Sequence, residues 1–428
     1  MSPEQEIRRR IQQSGAVTFA EFMDVALFWP RGGYYSGPEH IGASGDYYTS
    51  PHAHPAFGAL LAHQLFQMWQ LLGSPDSFTV VEMGAGAGLL CHDLVSHSAH
   101  LSPDFQRSLR YVCLDRRPAP GAEIGLVEAE GMPLVARAAA SGLPMHAFVG
   151  CVLSNELLDS HAVHQVTVRH GNLREVHVGL QGDDLVEIIG DPSTPALAAR
   201  LRDLGIEMDE GQTAEINLGL GRWAREVAQA LVQGFVLTID YGHRAEELYS
   251  PERRRRGTLT TFHRHTQTDA PFRHIGSQDI TSHVDFTSVA GAGRREGLEV
   301  LGFGTQRQFL SSLGLERFRR RLSSLGLRDS VIQANRAGML DLARPGGLGD
   351  FKVLVQGKGV GRPAVWGFGA GAGPDQGLGK EAAELAQQVP VPLLTKQHLS
   401  VLEGRYPHTA AEFEGQWPAE GDPWSAAR

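Results

Sequence analysis

The run Val80-Val81-Glu82-Met83-Gly84-Ala85-Gly86-Ala87-Gly88 constrains this chain more than any other. FTVVEMG, from Phe78, reads as a short β-rich strand, and AGLLCHDLV behind it reads as a helix. Glycines at the turn between them permit positive φ and let the backbone approach a ligand closely. The spacing is ExGxGxG, so the third glycine comes one residue earlier than in the dinucleotide fingerprint GxGxxG.

Such a loop passes beside a nucleoside and an amino-acid moiety and need not cradle a pyrophosphate. It therefore favours S-adenosylmethionine over a nicotinamide dinucleotide. LRYVCLD reads as the next strand and ends on Asp115, a carboxylate placed to accept hydrogen bonds from both ribose hydroxyls. A tight strand-to-helix turn without a ligand would use the same glycines. Glu82, Gly84, Gly86, Gly88 and Asp115 taken together point to a cofactor.

HAFVGCVLSNELLD reads as a third strand running into a loop, and GFVLTIDYG as a further one. Strands alternating with helices imply a parallel sheet covered on both faces, the α/β class. Residues 162–189 read as extended runs around turns at His170-Gly171 and Gly182-Asp183-Asp184, an antiparallel insertion. Phe57, Leu60, Leu61, Leu65, Met68 and Trp69 fall on one helical stripe, which is core packing. The expected organisation is a helical N-terminal segment over 1–75 and a Rossmann-like core over 76–250. A substrate-side insertion or lid follows over 251–345, then a final core strand within 346–360 and a C-terminal extension over 361–428.

The 428 residues are enough to bury a catalytic site, and 42% hydrophobic with 20% charged residues is an ordinary globular balance. A net charge of -9 argues against a nucleic-acid partner, and the basic run Arg253 to Arg256 reads as a solvated loop. Cys91, Cys113 and Cys151 lack CxxC spacing, so neither disulfides nor structural zinc are expected. No apolar stretch is long enough for a membrane helix, so no membrane partner is expected. The opening MSPEQEIRRRIQQSG has no apolar signal-peptide core and leaves little room for a leader, which places the expected location in the cytoplasm.

Several blocks occur in order from about Val17 to Gly357: FMDVALFWPRGGYYS, IGASGDYYTSPHAHPAFGALLA, VVEMGAGAG, LSNELLDSHAVHQV, VLTIDYGH, GTLTTFHRH, DITSHVDFTSVA, TQRQFL and FKVLVQG. In these the chain resembles the MidA-like family of class I S-adenosylmethionine-dependent methyltransferases. The resemblance implies a Rossmann-like methyltransferase sheet with family-specific insertions, S-adenosylmethionine as donor and a protein substrate, arginine being the acceptor in the mitochondrial branch. It also implies the homodimers that family members form. The family's GDFxT-type segment matches Gly45, Asp46 and Thr49, and its Asn-Glu-x-x-Asp segment matches Asn155, Glu156 and Asp159.

Asn155 and Glu156 follow an apolar strand and should emerge where ligands bind in open α/β sheets. Glu156 or Asp159 could orient a guanidinium and take the proton released on methyl transfer. Asn155 and Asp159 equally suit a loop cap, and His164 could line the site but better suits a hydrogen-bonded structural role. Asp240 and Tyr241, at another strand end, could face the acceptor. The polar spacing of Asp279, His283 and Asp285 looks like a ligand set, but methyl transfer needs no metal, and none is assigned.

The chain departs from the family at Ala87 and Leu89, where an Arg and a Thr are common, and at His52, where a Glu is common. Two other readings therefore stay open: a cofactor-binding assembly factor with little turnover, and a small-molecule methyltransferase.

Overall fold

The computed structural model describes residues 1–36, 49–116, 133–140, 142–143, 146–263, 266–369, 378–395 and 398. Gly45 and Asp46 lie outside these residues. The described chain forms two compact units, each assembled from separated stretches: 1–39, 156–228 and 240–298 in one, and the remainder in the other. The linear boundaries read from the sequence differ from these, because strands far apart in the chain complete a single sheet.

That sheet has seven strands: β1 (Phe78–Met83), β2 (Leu109–Asp115), β3 (Leu134–Ala139), β4 (Phe148–Asn155), β5 (Leu231–Asp240), β6 (Glu299–Thr305) and β7 (Lys352–Lys358). Their spatial order is β6-β7-β5-β4-β1-β2-β3. Strands β1 to β5 pair in parallel, whereas β6 and β7 pair antiparallel. HAFVGCVLSNELLD thus holds the fourth strand and not the third, since Leu134–Ala139 precedes it. The strand order reverses between β1 and β4, so the crevice of this open sheet lies at the carboxyl ends of those two strands. The glycine loop leaves β1 there, and Asn155 ends β4 there.

β1 is buried along nearly its whole length, as its valine-rich continuous pattern requires of a central parallel strand. Close register with β4 depends on Gly150, where a Cβ would stand 1.9 Å from the carbonyl oxygen of Thr79. Helix α1 (Ala56–Leu71) covers one face of the sheet together with α2 (Leu89–Ser98), which starts at the end of the glycine loop. Phe57, Leu60, Leu61, Leu65 and Met68 of α1 are fully buried, each such side chain contributing about 2 kcal/mol of transfer free energy.

The other unit opens with helices Pro3–Ser14 and Phe19–Phe28, both closed at their start by capping boxes, on Ser2 and Thr18. Its strands His164–Arg169, Asn172–Gln181 and Asp184–Gly190 form successive antiparallel pairs joined by tight turns. Within the expected insertion, residues 251–300 hold a small sheet of Thr260–His263, Thr266–Thr268 and Asp279–Thr281 and the helix Phe286–Arg295. No described helix is long and apolar enough to cross a membrane.

Candidate active site

The glycine loop is built on left-handed backbone: φ is 75° at Gly84, 50° at Gly86 and 86° at Gly88. L side chains resist such angles. The amides of Gly84 and Ala85 donate to the carbonyl of Leu114 at 2.8 and 3.2 Å, which ties the loop to the end of β2. From that strand end, Asp115 accepts the Gly86 amide hydrogen at 2.9 Å. A Cβ at Gly86 would meet nothing within 4 Å, so the loop presents open space where a nucleoside could lie against backbone. Gly84, Gly86, Gly88 and Asp115 are thus brought together, and they fit an adenosine-bearing cofactor.

Glu82 stands on β1 beneath this loop, buried, and accepts the phenol hydrogen of Tyr111 at 2.8 Å. Burial pushes its pKa up to about 8, against the opposing pull of the Tyr111 hydrogen bond. Thr49 sits at the start of the short helix Ser50–Ala53, and its hydroxyl pairs with His52 Nδ1 at 2.8 Å. His52, the departure noted above, is half-buried, and desolvation lowers its pKa to about 4, so it stands neutral.

The second group of carboxylates follows the ends of β4 and β5. The Asp240 carboxylate is fully buried, and the segment after Asn155 wraps around it. Its Oδ2 accepts the amides of Leu157 at 3.1 Å, Leu158 at 2.9 Å and Asp159 at 3.4 Å, and Oδ1 accepts that of Tyr241 at 2.9 Å. Burial raises the Asp240 pKa, and the charges of Asp159 and Glu156 raise it further. Glu156 adopts φ 53°, a strained conformation for a residue with a Cβ, held by this wrapping.

Asp159 is buried too, and Tyr241 donates its hydroxyl hydrogen to Oδ2. Among the described residues no group hydrogen-bonds the other oxygen, Oδ1, although the Ser160 amide lies near enough to favour its charge. Burial pushes the Asp159 pKa up to about 6. This second group therefore contains a carboxylate that changes charge near neutrality, with one oxygen held by a phenol.

Other sequence candidates have structural partners. His164 Nδ1 lies 2.7 Å from the buried Glu175. Asp279 accepts the Tyr35 hydroxyl at 2.9 Å, and Asp285 caps the helix Phe286–Arg295 through the Ser288 amide at 3.0 Å. His283 stacks on His243 with ring centroids 5.3 Å apart. The sequence reading missed Arg137 on β3, which donates to the carbonyls of Gly86 and Ala87, the latter at 3.1 Å.

The family model for S-adenosyl-L-methionine-dependent methyltransferases matches residues 60–304, more than half of the chain, including the glycine loop and both strand-end acids. The chain belongs to this family. Among solved structures, this methyltransferase is similar to a Burkholderia thailandensis protein described as a methyl transferase and bound to S-adenosylhomocysteine. That likeness has a TM-score of 0.76 and 29% identity, and covers 86% of this chain and 95% of that one. The bound product fits the cofactor derived from the loop: S-adenosylmethionine is the cofactor of this methyltransferase.

Curated relatives include the fly protein arginine methyltransferase NDUFAF7 homolog, 26% identical over 66% of this chain and 68% of its own length. The human protein arginine methyltransferase NDUFAF7 is 27% identical over 65% of this chain and 66% of its own. The match thus spans about two thirds of these relatives. Both are mitochondrial proteins, as is the rat counterpart, which overturns the expected cytoplasmic location.

Proposed function

We propose that this methyltransferase methylates a nitrogen of a protein side chain, with arginine as the acceptor. The observation that carries this reading is the buried Asp159 carboxylate, one oxygen held by Tyr241 and the other without a partner in hydrogen-bonding geometry among the described residues. A guanidinium offers planar N–H pairs that match a carboxylate, and such charge-assisted pairs are the strong ones. Glu156 adds a second acid at the end of β4. The names of the curated relatives, protein arginine methyltransferases, support the same acceptor.

S-adenosylmethionine, when bound, supplies an electrophilic methyl group on sulfur. The chain's own part is alignment and proton removal. Glu156 and Asp159 hold the guanidinium so that one nitrogen is aimed for attack. As the nitrogen–carbon bond forms and the methyl–sulfur bond breaks, its electron pair returning to sulfur to leave S-adenosylhomocysteine, the nitrogen sheds a proton, and Asp159, near pKa 6, accepts it. Fixing the acceptor in one geometry supplies most of the acceleration, because the reaction needs little besides orientation and exclusion of water.

The test is transfer of radiolabelled methyl from S-adenosylmethionine to protein extract, followed by hydrolysis and amino-acid analysis. Label in methylarginine, reduced at least tenfold by Asp159→Asn, is the expected result. Label confined to small molecules, or equal label from wild type and Asp159→Asn, would sink the reading.

A further inference from the structure

The glycine loop contains no side chain able to fix its own path. Between Met83 and Leu89 it consists of three glycines and two alanines. Glycine loses more conformational freedom on ordering than any other residue, so a loop of this composition is costly to hold in one shape. The structure holds it from outside, at both ends of a single residue. The amide of Gly86 donates to Asp115 at 2.9 Å, while the carbonyl of Gly86 accepts from Nη2 of Arg137. The next carbonyl, of Ala87, accepts from Nη1 of the same guanidinium at 3.1 Å.

The sheet register accounts for this reach. Glu82 on β1 lies opposite Cys113 on β2, and Cys113 lies opposite Arg137 on β3, so the three form one row across the sheet. Arg137 thereby shares a sheet face with Glu82, and its positive charge opposes the burial that raises the Glu82 pKa. A guanidinium presents two N–H groups in a rigid fork, so it can hold two successive carbonyls in one orientation where a single ammonium could hold one.

We infer that Arg137 is a positioning residue for the cofactor. It acts through the loop: by fixing the carbonyls of Gly86 and Ala87 it fixes the peptide planes against which the cofactor lies, with Asp115 fixing the same segment from the amide side. The inference rests on the loop being the cofactor site, and it assigns to β3 a role in affinity beyond that of the glycines.

The experiment is calorimetric titration of the full chain with S-adenosylhomocysteine in wild type, Arg137→Ala, Arg137→Lys and Asp115→Ala, alongside hydrogen exchange of the peptide covering the loop. Arg137→Ala is expected to bind about tenfold more weakly, since hydrogen bonds from a charged group are lost. Loop amides should exchange faster in that variant, with exchange in α1 unchanged. Arg137→Lys should recover part of the affinity. Should Arg137→Ala fail to fold, Arg137→Gln, which keeps the stem, takes its place with the same expectation. Wild-type affinity in the neutral variant overturns the positioning role alone. So does weaker binding with unchanged loop exchange, because the arginine would then act on the ligand directly. A wild type that binds no S-adenosylhomocysteine overturns the cofactor reading and the positioning role with it.

Discussion

Tyr111 donates its phenol hydrogen to Glu82 at 2.8 Å, with both side chains buried directly beneath the glycine loop. Burial raises Glu82 to about pH 8 in the fold, against 4.5 for an ordinary glutamate. Between those values the folded protein holds a proton that the unfolded chain has released, so stability falls as pH rises from 4.5 to 8 and levels off above. Glu82→Gln removes this component. Denaturant titration from pH 5 to pH 9 should show the variant gaining on wild type across that window, by on the order of a few kcal/mol at most. A gap that does not change with pH would contradict the raised value.

Two glycines of the sheet unit should respond in opposite ways to alanine. At Gly150 the added Cβ would stand 1.9 Å from the Thr79 carbonyl oxygen, inside the pairing of β1 with β4, and no side-chain movement can relieve that. Gly150→Ala should lose the folded state or several kcal/mol of stability, about 3 or more. At Gly86 the Cβ would meet nothing within 4 Å, so the cost is the left-handed angle alone, about 1 kcal/mol. Affinity for S-adenosylhomocysteine should nevertheless fall at least tenfold in Gly86→Ala, because the methyl group takes up the space open to the ligand. Thermal unfolding and calorimetry on the two variants separate these effects.

Tyr241 sets the working charge of Asp159. The hydroxyl it donates pulls the Asp159 pKa down against the rise caused by burial, leaving it at about 6. If ionised Asp159 holds the acceptor and takes its proton, kcat/KM should rise with pH through about 6 in wild type. Tyr241→Phe removes the donor, so the rising limb should move to higher pH while the plateau falls less than in Asp159→Asn. A limb that stays in place in Tyr241→Phe would mean that another group controls the profile.

Strand ends were the legible part of this site. Glu82 and Asp115 stand at the ends of short apolar, β-prone runs that read as sheet strands, and the ExGxGxG spacing marks the turn between strand and helix. β3 was not legible. Its run LVARAA is half-exposed at the sheet edge and rich in alanine, so neither period nor β-propensity distinguishes it from a loop. Arg137 was hidden with it, since an arginine is recognisable as a loop brace only once the register places it across from Cys113. The wrapping of residues 157–159 around Asp240 was equally unreadable: it depends on amides converging on a carboxylate some eighty residues later in the chain, and backbone donors leave no mark on composition.

The C-terminal part of the described chain should matter to α2, and through it to the end of the glycine loop. Asp93 of α2 is buried, and His398 Nε2 approaches its Oδ2 at 3.0 Å while His92 Nδ1 approaches Oδ1 at 3.1 Å. The Thr395 hydroxyl pairs with His398 Nδ1 at 2.7 Å, which fixes the imidazole. Burial alone would raise the Asp93 pKa, but the hydrogen bonds from His398 and His92 more than reverse it, and it lies below the ordinary aspartate value of 3.8. A depressed carboxyl contributes stability that is complete above 3.8 and is lost as pH falls through the folded value. His398→Ala leaves a buried charge with one half-exposed partner, which should cost about 3 kcal/mol at pH 7. The deficit should shrink under strongly acidic conditions, where Asp93 is protonated in both proteins. Equal unfolding midpoints for wild type and His398→Ala at pH 7 would show that His398 does not anchor this segment to α2.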